Sequence, residues 1–301
     1  MTFHACRLAG AATFATLALT ACDKTQPTPS GSSSSATTTT SAENATVRAS
    51  GSSALQPLVN AAKEQFETKN KGISIEVSAG GSKKGLEDVA SGAVQIGNSD
   101  IFAEEKDKGK LVDHKVAVQG FATMANKGPF NEKITSISLA DLAKVFSGTI
   151  TNWKDLGGQP QQITVINRAP ASGTRAVFGN AVLGGDKFIE SQTEDNSGAL
   201  VTKLKQTKGA ISYLSLAFAD PELQMFSLKT DKGVVEPNTA SITAGQYPIW
   251  SYGHMYTKGE PTGATKQFLD YMLSADFQEN ILPKVKGFTP VTQMKVTRDK
   301  D

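Results

Sequence analysis

Cysteine is almost absent from this chain. Its 301 residues hold two, Cys6 and Cys22. The segment from about Thr46 to Lys295, which carries the apolar periodicity of a folded domain, has no thiol. That excludes a disulfide framework, a thiolate metal site and a cysteine nucleophile there. Histidine is scarce too, with only His114 and His254 in the domain. There is no Gly-x-Ser-x-Gly elbow and no His-x-x-His or His-Glu-x-x-His pattern. No catalytic residue, metal or cofactor is expected. Charge of either sign is not in excess: 31 Lys and Arg face 29 Asp and Glu, a net +2. No long-range field calls for nucleic acid, so any anion recognition must come from local dipoles. Trp153, Trp250 and the tyrosines form no stacking ladder for bases or sugars. Apolar runs long enough for a membrane span are missing as well. Residues 8–20 are apolar but too short, and after His4 and Arg7 they have the length of a signal-peptide core.

That run ends in Leu19-Thr20-Ala21-Cys22. The sequence resembles the lipobox of bacterial lipoproteins, where small residues precede a cysteine that carries lipid after cleavage. Residues 1–21 are thus expected to be a lipoprotein signal peptide and Cys22 the lipidation site. A plain secretory signal with an incidental cysteine is the alternative. Ser32-Ser33-Ser34-Ser35 and Thr37-Thr38-Thr39-Thr40 follow. Such a segment has too little apolar surface to offset its ordering entropy, so residues 22–46 are expected to be a disordered tether.

From residue 47 the chain alternates strand and helix patterns. Val47-Arg48-Ala49-Ser50 reads as a strand, Gly51-Ser52-Ser53 as a turn, and Leu55, Leu58, Val59, Ala62 and Phe66 as a helical stripe. The pattern repeats through Ile73, Ile75 and Val77, the Gly80-Gly81-Ser82 turn, and Leu86, Val89, Ala90 and Ala93. A short strand at Val94-Gln95-Ile96 then ends in Gly97-Asn98-Ser99-Asp100. A strand is expected at residues 116–122, a helix at 139–146, a strand at 209–213, a return segment from Pro248, and helices at 265–273 and 276–282. Alternation of this kind argues for α/β architecture with mainly parallel sheets.

Each strand finishes in a loop of small hydroxyl residues. The richest is Asn167-Arg168-Ala169-Pro170-Ala171-Ser172-Gly173-Thr174-Arg175. It follows an apolar strand and opens a helix. A helix start offers unpaired amides and partial positive charge. With two hydroxyls and a guanidinium added, it suits a small oxyanion. Singly, each such turn is equally well a plain helix cap.

Taken in order, Gly-Ser-Ser-Ala-Leu-Gln-Pro, Gly-Asn-Ser-Asp, Ile-Thr-Asn-Trp-Lys, Ile-Asn-Arg-Ala-Pro-Ala-Ser-Gly-Thr-Arg, Gly-Ala-Ile-Ser-Tyr and Pro-Ile-Trp-Ser-Tyr resemble one family. It is the phosphate-binding proteins of bacterial high-affinity phosphate ABC transporters. The resemblance covers nearly the whole exported domain. It implies an α/β, two-lobe periplasmic-binding-protein fold of type II, with the ligand cleft between lobes. One lobe would comprise residues 47–123 and 248–301, the other residues 124–247.

The resemblance also implies the ligands. Ser53 would donate through hydroxyl and amide, Ala54 through its amide, and Ser82 through both groups. Asp100 matches the family's carboxylate and Arg168 its arginine. Ser172, Gly173 and Thr174 match the donors at the helix start. Near neutral pH, phosphate keeps at least one proton and sulfate none, so Asp100 can accept from phosphate and meets only like charge on sulfate. Arsenate also carries a proton and is not excluded. Arg175 is left between the anion and a lobe carboxylate, and Ser197 is a further possible contact. Lys83 and Lys84 depart from the family's commoner loop, facing either the cleft mouth or solvent. His254 reads as a packing or surface residue.

The implied role is a solute-binding lipoprotein that captures inorganic phosphate. It would be a monomer, lipid-anchored at the cell membrane and facing the periplasm or cell exterior. Its partners would be permease subunits with a cytoplasmic ATPase. A surface phosphate sensor or adhesin fits the same features, and a slow phosphoesterase with Ser53 or Ser172 as nucleophile is the enzymatic rival.

Overall fold

Alternating burial begins the fold. In β1 (Ala45–Gly51), Val47 and Ala49 are buried while Thr46 and Arg48 are exposed. The computed structural model describes residues 44–107, 109–185 and 187–300. The expected signal peptide, Cys22 and the tether up to residue 43 lie outside the described residues. The expected tether end at residue 46 is too late, because Ala45 and Thr46 already pair with Ile73 and Ser74. Gly51 ends the strand with φ at 129°. A Cβ there would fall 2.1 Å from the carbonyl oxygen of Asn98, so the turn requires glycine.

Helix α1 (Gln56–Lys69) buries Leu58, Val59, Ala62 and Phe66, and its Pro57 lies in the first turn, where a missing amide costs nothing. Next come β2 (Ile73–Ala79), α2 (Ser82–Ser91) and β3 (Ile96–Ser99). Strand β1 pairs in parallel with both β2 and β3, so the three strands end on one edge.

Strand β4 (Leu111–Asn126) has 16 residues and outruns the expected 116–122 at both ends. Then follow β5 (Ser136–Ser138), α3 (Leu139–Phe146), β6 (Thr164–Arg168), α4 (Gly173–Leu183), β7 (Gln192–Glu194), α5 (Ser197–Gln206) and β8 (Ala210–Ser215). Strand β6 pairs in parallel with β7 and β8, again aligning the strand ends. Strands β9 (Leu223–Met225), β10 (Ser227–Thr230) and β11 (Gly233–Val235) and helix α6 (Thr239–Thr243) complete this half. Strand β12 (Trp250–Lys258) returns antiparallel along β4, with Trp250 opposite Gly120. Helix α7 (Gly263–Leu273) and β13 (Phe288–Thr289), which pairs with β4, close the chain. The short helix expected at 276–282 is present as a π-helix over Asp276–Ile281.

The main sheet runs β2-β1-β3-β12-β4-β8-β6-β7. Parallel pairing therefore holds in each half, and the centre is antiparallel. The cause is connectivity: the chain crosses from the first half along β4 and comes back beside it along β12. Each half has its own apolar centre. Phe66, Ile75, Phe268 and Phe277 pack in one. In the other, Phe178 stacks on Tyr213 at 4.3 Å, and Trp153 lies between Phe130 and Phe226 with its indole N–H donating to the Gly209 carbonyl at 3.1 Å. Each such side chain contributes about 1.5–3 kcal/mol by leaving water. Within the Asn152-Trp153-Lys154 motif, Trp153 is thereby a core residue, while Lys154 is exposed. His254 is fully buried, with Nδ1 2.8 Å from Asp113 and its ring 4.6 Å from Phe102.

Candidate anion-binding site

The loops after β1, β2 and β3 meet the loops after β6 and β7, and the starts of α1, α2, α4 and α5 converge between them. Every side chain at this junction is buried: Ser52, Ser53, Ser82, Asp100, Gln119, Arg168, Ser172, Thr174 and Ser197 are each at most 2% exposed. Four helix N-termini around one point make it a locus of positive potential built from backbone alone.

Arg168 ends β6, and its guanidinium makes four hydrogen bonds. Nε donates to the Glu194 carbonyl at 3.2 Å and Nη1 to Ser197 Oγ at 3.2 Å. Nη2 donates to Ser53 Oγ and the Asp195 carbonyl, both at 3.1 Å. All four acceptors are neutral oxygens. Burial pulls the Arg168 pKa down, opposed by the negative charge of Asp100. A buried cation held only by neutral dipoles is costly unless an anion joins it.

The backbone of Arg168 is fixed from the core. Its amide donates to the Tyr213 hydroxyl at 3.3 Å, and that hydroxyl donates to Asn167 Oδ1 at 3.3 Å. Burial pushes the Tyr213 pKa up to about 12.

Asp100 follows β3 and receives three donors. Ser52 Oγ and Gln119 Nε2, the latter at 2.9 Å, donate to Oδ1. Thr174 Oγ1 donates to Oδ2 at 2.9 Å. The Asp100 amide donates to Ser82 Oγ at 2.9 Å. A carboxylate has about four acceptor positions, so the carboxylate is nearly saturated by protein donors.

The remaining expected residues surround this pair. Ser53 Oγ accepts from the Ser197 amide at 3.1 Å and lies 3.2 Å from Ser197 Oγ. The amides of Ala54 and Leu55 donate to Ser52 Oγ at 3.1 and 3.3 Å. Ser172 caps α4 by accepting from the Arg175 amide at 3.2 Å. Gly173 touches the opposite loops so closely that a Cβ would fall 2.2 Å from Ser82 Oγ and 2.9 Å from Asp100 Cβ. The amide of Lys83 donates to the Ala171 carbonyl at 3.1 Å, a further tie across the junction. Beside it lies a cavity of about 300 Å³, lined by Ala79, Gly80, Ala169, Ala171, Ser172, Asp195 and Asn196.

All eight principal residues named from the sequence, and Ser197 with them, therefore lie at one junction. Arg175 is engaged by its own loop and a neighbouring ring. Its Nη1 donates to the Arg168 carbonyl at 2.6 Å, and its guanidinium lies 4.6 Å from the Phe188 ring centre. It braces the loop. Lys83 and Lys84 are exposed, and Lys84 pairs with Asp88 at 2.5 Å. Sequence reasoning missed Ser52, Gln119 and Tyr213. Gln119 had left a signal, as the one polar residue in the apolar run 116–122.

Chemically, the junction offers a guanidinium, several hydroxyls and helix-start amides for an anion's oxygens, and one carboxylate able to accept a proton the anion carries. Neither histidine of the described residues contacts these groups, so among the described residues no serine here has a histidine beside it. Among the described residues no group of three or more His, Cys, Asp or Glu could hold a metal ion.

Residues 34–276 match the model of the PBP superfamily domain. The chain is 48% identical over 253 residues to the phosphate-binding protein PstS of Bacillus subtilis, covering 83% of this chain and 82% of that protein. A Clostridium perfringens substrate-binding protein of the phosphate ABC transporter type, solved with bound phosphate, superposes with a TM-score of 0.75 at 28% identity. That match covers 82% of this chain and 99% of the other. An ABC-type phosphate transport receptor from Vibrio cholerae shares the fold, with a TM-score of 0.61 at 20% identity over 76% of this chain and 94% of the other. This chain thus has the two-lobe periplasmic-binding fold, shared with the two solved proteins.

Proposed function

The chain belongs to the PBP superfamily and, within it, to the PstS phosphate-binding proteins; from that premise we propose that it captures inorganic phosphate outside the cytoplasm for delivery to an ABC importer. It is a binding protein and performs no chemistry on its ligand. The observation that carries the reading is Arg168: a guanidinium 1% exposed whose four hydrogen bonds all end on neutral oxygens. Such a group is set to receive an anion's charge.

In this reading Ser53, Ala54, Ser82, Asp100, Arg168, Ser172, Gly173 and Thr174 form the ligand shell, and Ser197 joins it through Ser53 and Arg168. Arg175 supports the shell from behind. Phosphate oxygens replace the present hydroxyl–hydroxyl and hydroxyl–guanidinium contacts, and the phosphate proton is donated to the acceptor position left on Asp100. Sulfate has no proton to give and leaves a buried charged acceptor unpaired, at a cost of about 1–3 kcal/mol or more.

The lobes are residues 47–123 with 248–301, and residues 124–247, joined through β4 and β12 near Gly120 and Trp250. Ligand contacts come from both lobes, so phosphate favours the closed arrangement by binding it better than the open one. The closed monomer is then the form presented to the permease, whose cytoplasmic ATPase drives transport. Leu19-Thr20-Ala21-Cys22 supports a lipid anchor at Cys22, which would hold the protein at the membrane facing the periplasm or exterior. Among the described residues no helix is long and apolar enough to cross a membrane.

The test is calorimetric titration of phosphate-stripped protein with phosphate, with sulfate as competitor. Tight one-to-one phosphate binding undisturbed by excess sulfate is expected. A folded, stripped protein that binds no phosphate overturns the reading.

A further inference from the structure

We propose that Gln119 is a positioning residue for ligand selectivity, acting through Asp100; the inference rests on the phosphate reading above. Gln119 lies on β4 where that strand is paired on both edges, with Ser251 of β12 on one side and Phe288 of β13 on the other. Its backbone is therefore held in a ladder, and its side chain, fully buried, has one direction to go. Nε2 donates to Asp100 Oδ1 at 2.9 Å. Among the described residues Oε1 has no hydrogen-bond partner. The amide is thus engaged at one end only, and that end meets the carboxylate.

The orientation of the amide follows from the chemistry. Turning it over would set its oxygen against a carboxylate oxygen, two acceptors facing each other. With the N–H inward, Gln119 and Ser52 fill Oδ1 from two sides, while Thr174 takes one position on Oδ2. Three of about four acceptor positions are filled, and one is left for a proton carried by the ligand. Gln119 thereby fixes the plane of the carboxylate and helps keep it an acceptor. Without that donor the carboxylate is held at Oδ1 by Ser52 alone and can turn, so the position left for the ligand's proton is no longer fixed and the distinction between the two anions fades.

The experiment measures phosphate and sulfate dissociation constants by calorimetry on the phosphate-stripped full-length chain in detergent. It compares wild type, Gln119→Leu, Asp100→Asn and the double variant. Gln119→Leu is expected to narrow the ratio of the two constants by about tenfold. In the Asp100→Asn background it should add nothing. A ratio unchanged by Gln119→Leu but narrowed by Asp100→Asn overturns this inference and leaves the reading of Asp100 standing. A ratio unchanged by both removes the two together, and a wild type that binds no phosphate removes the functional reading itself. An effect of Gln119→Leu that persists without the Asp100 carboxylate also overturns the proposal. Should Gln119→Leu fail to fold, Gln119→Glu replaces it. Its carboxyl shares a proton with Asp100, donating when protonated and repelling when ionised. Selectivity relative to wild type should then be kept at acid pH and fall as pH rises. Parallel profiles overturn the proposal.

Discussion

Thr174 Oγ1 donates to Asp100 Oδ2 at 2.9 Å, tying the first turn of α4 to the loop after β3 across the junction. The two residues are 74 positions apart, and both are buried. Thr174→Val keeps the shape and deletes the donor. A hydrogen bond to a charged group is worth about 1.5–3 kcal/mol, so phosphate affinity should fall roughly tenfold to a hundredfold. Calorimetry reads the affinity. A melting temperature within a few degrees of wild type would show that the loss belongs to the site.

Arg168→Ala should weaken phosphate binding by roughly thirtyfold to a few thousandfold, since truncating one side of a buried charged contact costs about 2–5 kcal/mol. Arg168→Lys should not restore it. The guanidinium holds Ser53, Ser197 and two carbonyls at once, and a lysine ammonium on a flexible stem cannot reproduce that planar fork. Wild-type affinity in Arg168→Lys would mean that charge alone suffices. Asp100→Asn should weaken phosphate less than Arg168→Ala does.

The strand–turn–helix units of the first half were legible because periodicity changes from two to 3.6 across Gly51-Ser52-Ser53 and Gly80-Gly81-Ser82. The anion loops were legible because hydroxyls, glycine and Arg168 stand together at helix starts. Which of two adjacent serines meets Asp100 was not legible. That depends on the backbone at Gly51, whose φ of 129° no spacing reveals. The start of β4 was hidden because Asp113, His114 and Lys115 interrupt its apolar pattern, although the ladder to β12 runs through all three. Arg175 was ambiguous for a different reason: a cation beside an anion site can reach the anion or pair with a lobe carboxylate, and no spacing reveals its contacts with the Arg168 carbonyl and the Phe188 ring.

Gly173→Ala tests the closure of the junction. The added methyl would fall 2.2 Å from Ser82 Oγ and 2.8 Å from Ser82 Cβ, side-chain atoms of the opposite loop. Parting the loops relieves that clash without unfolding either half. Overpacking costs about 1–3 kcal/mol, so affinity should drop roughly five- to a hundredfold. Small-angle scattering with phosphate should show a larger radius of gyration than wild type. Unchanged affinity and radius would refute the close approach of Gly173 to Ser82.

Tyr213 links stability to alkaline pH. Burial pushes its pKa from 10.0 up to about 12. The folded value lies above the unfolded one, so the folded state holds its proton more tightly. The contribution is complete below pH about 10 and is lost as pH rises through about 12. Two pKa units correspond to about 3 kcal/mol. Urea midpoints measured from pH 9 to 12 should fall, and more steeply in wild type than in Tyr213→Phe. Tyr247, also raised by burial, contributes in the same direction in both proteins, so the difference isolates Tyr213. At neutral pH Tyr213→Phe should already bind phosphate more weakly, because the hydroxyl that accepts from the Arg168 amide and donates to Asn167 is gone. Equal alkaline slopes for the two proteins would show that the Tyr213 hydroxyl titrates as if exposed.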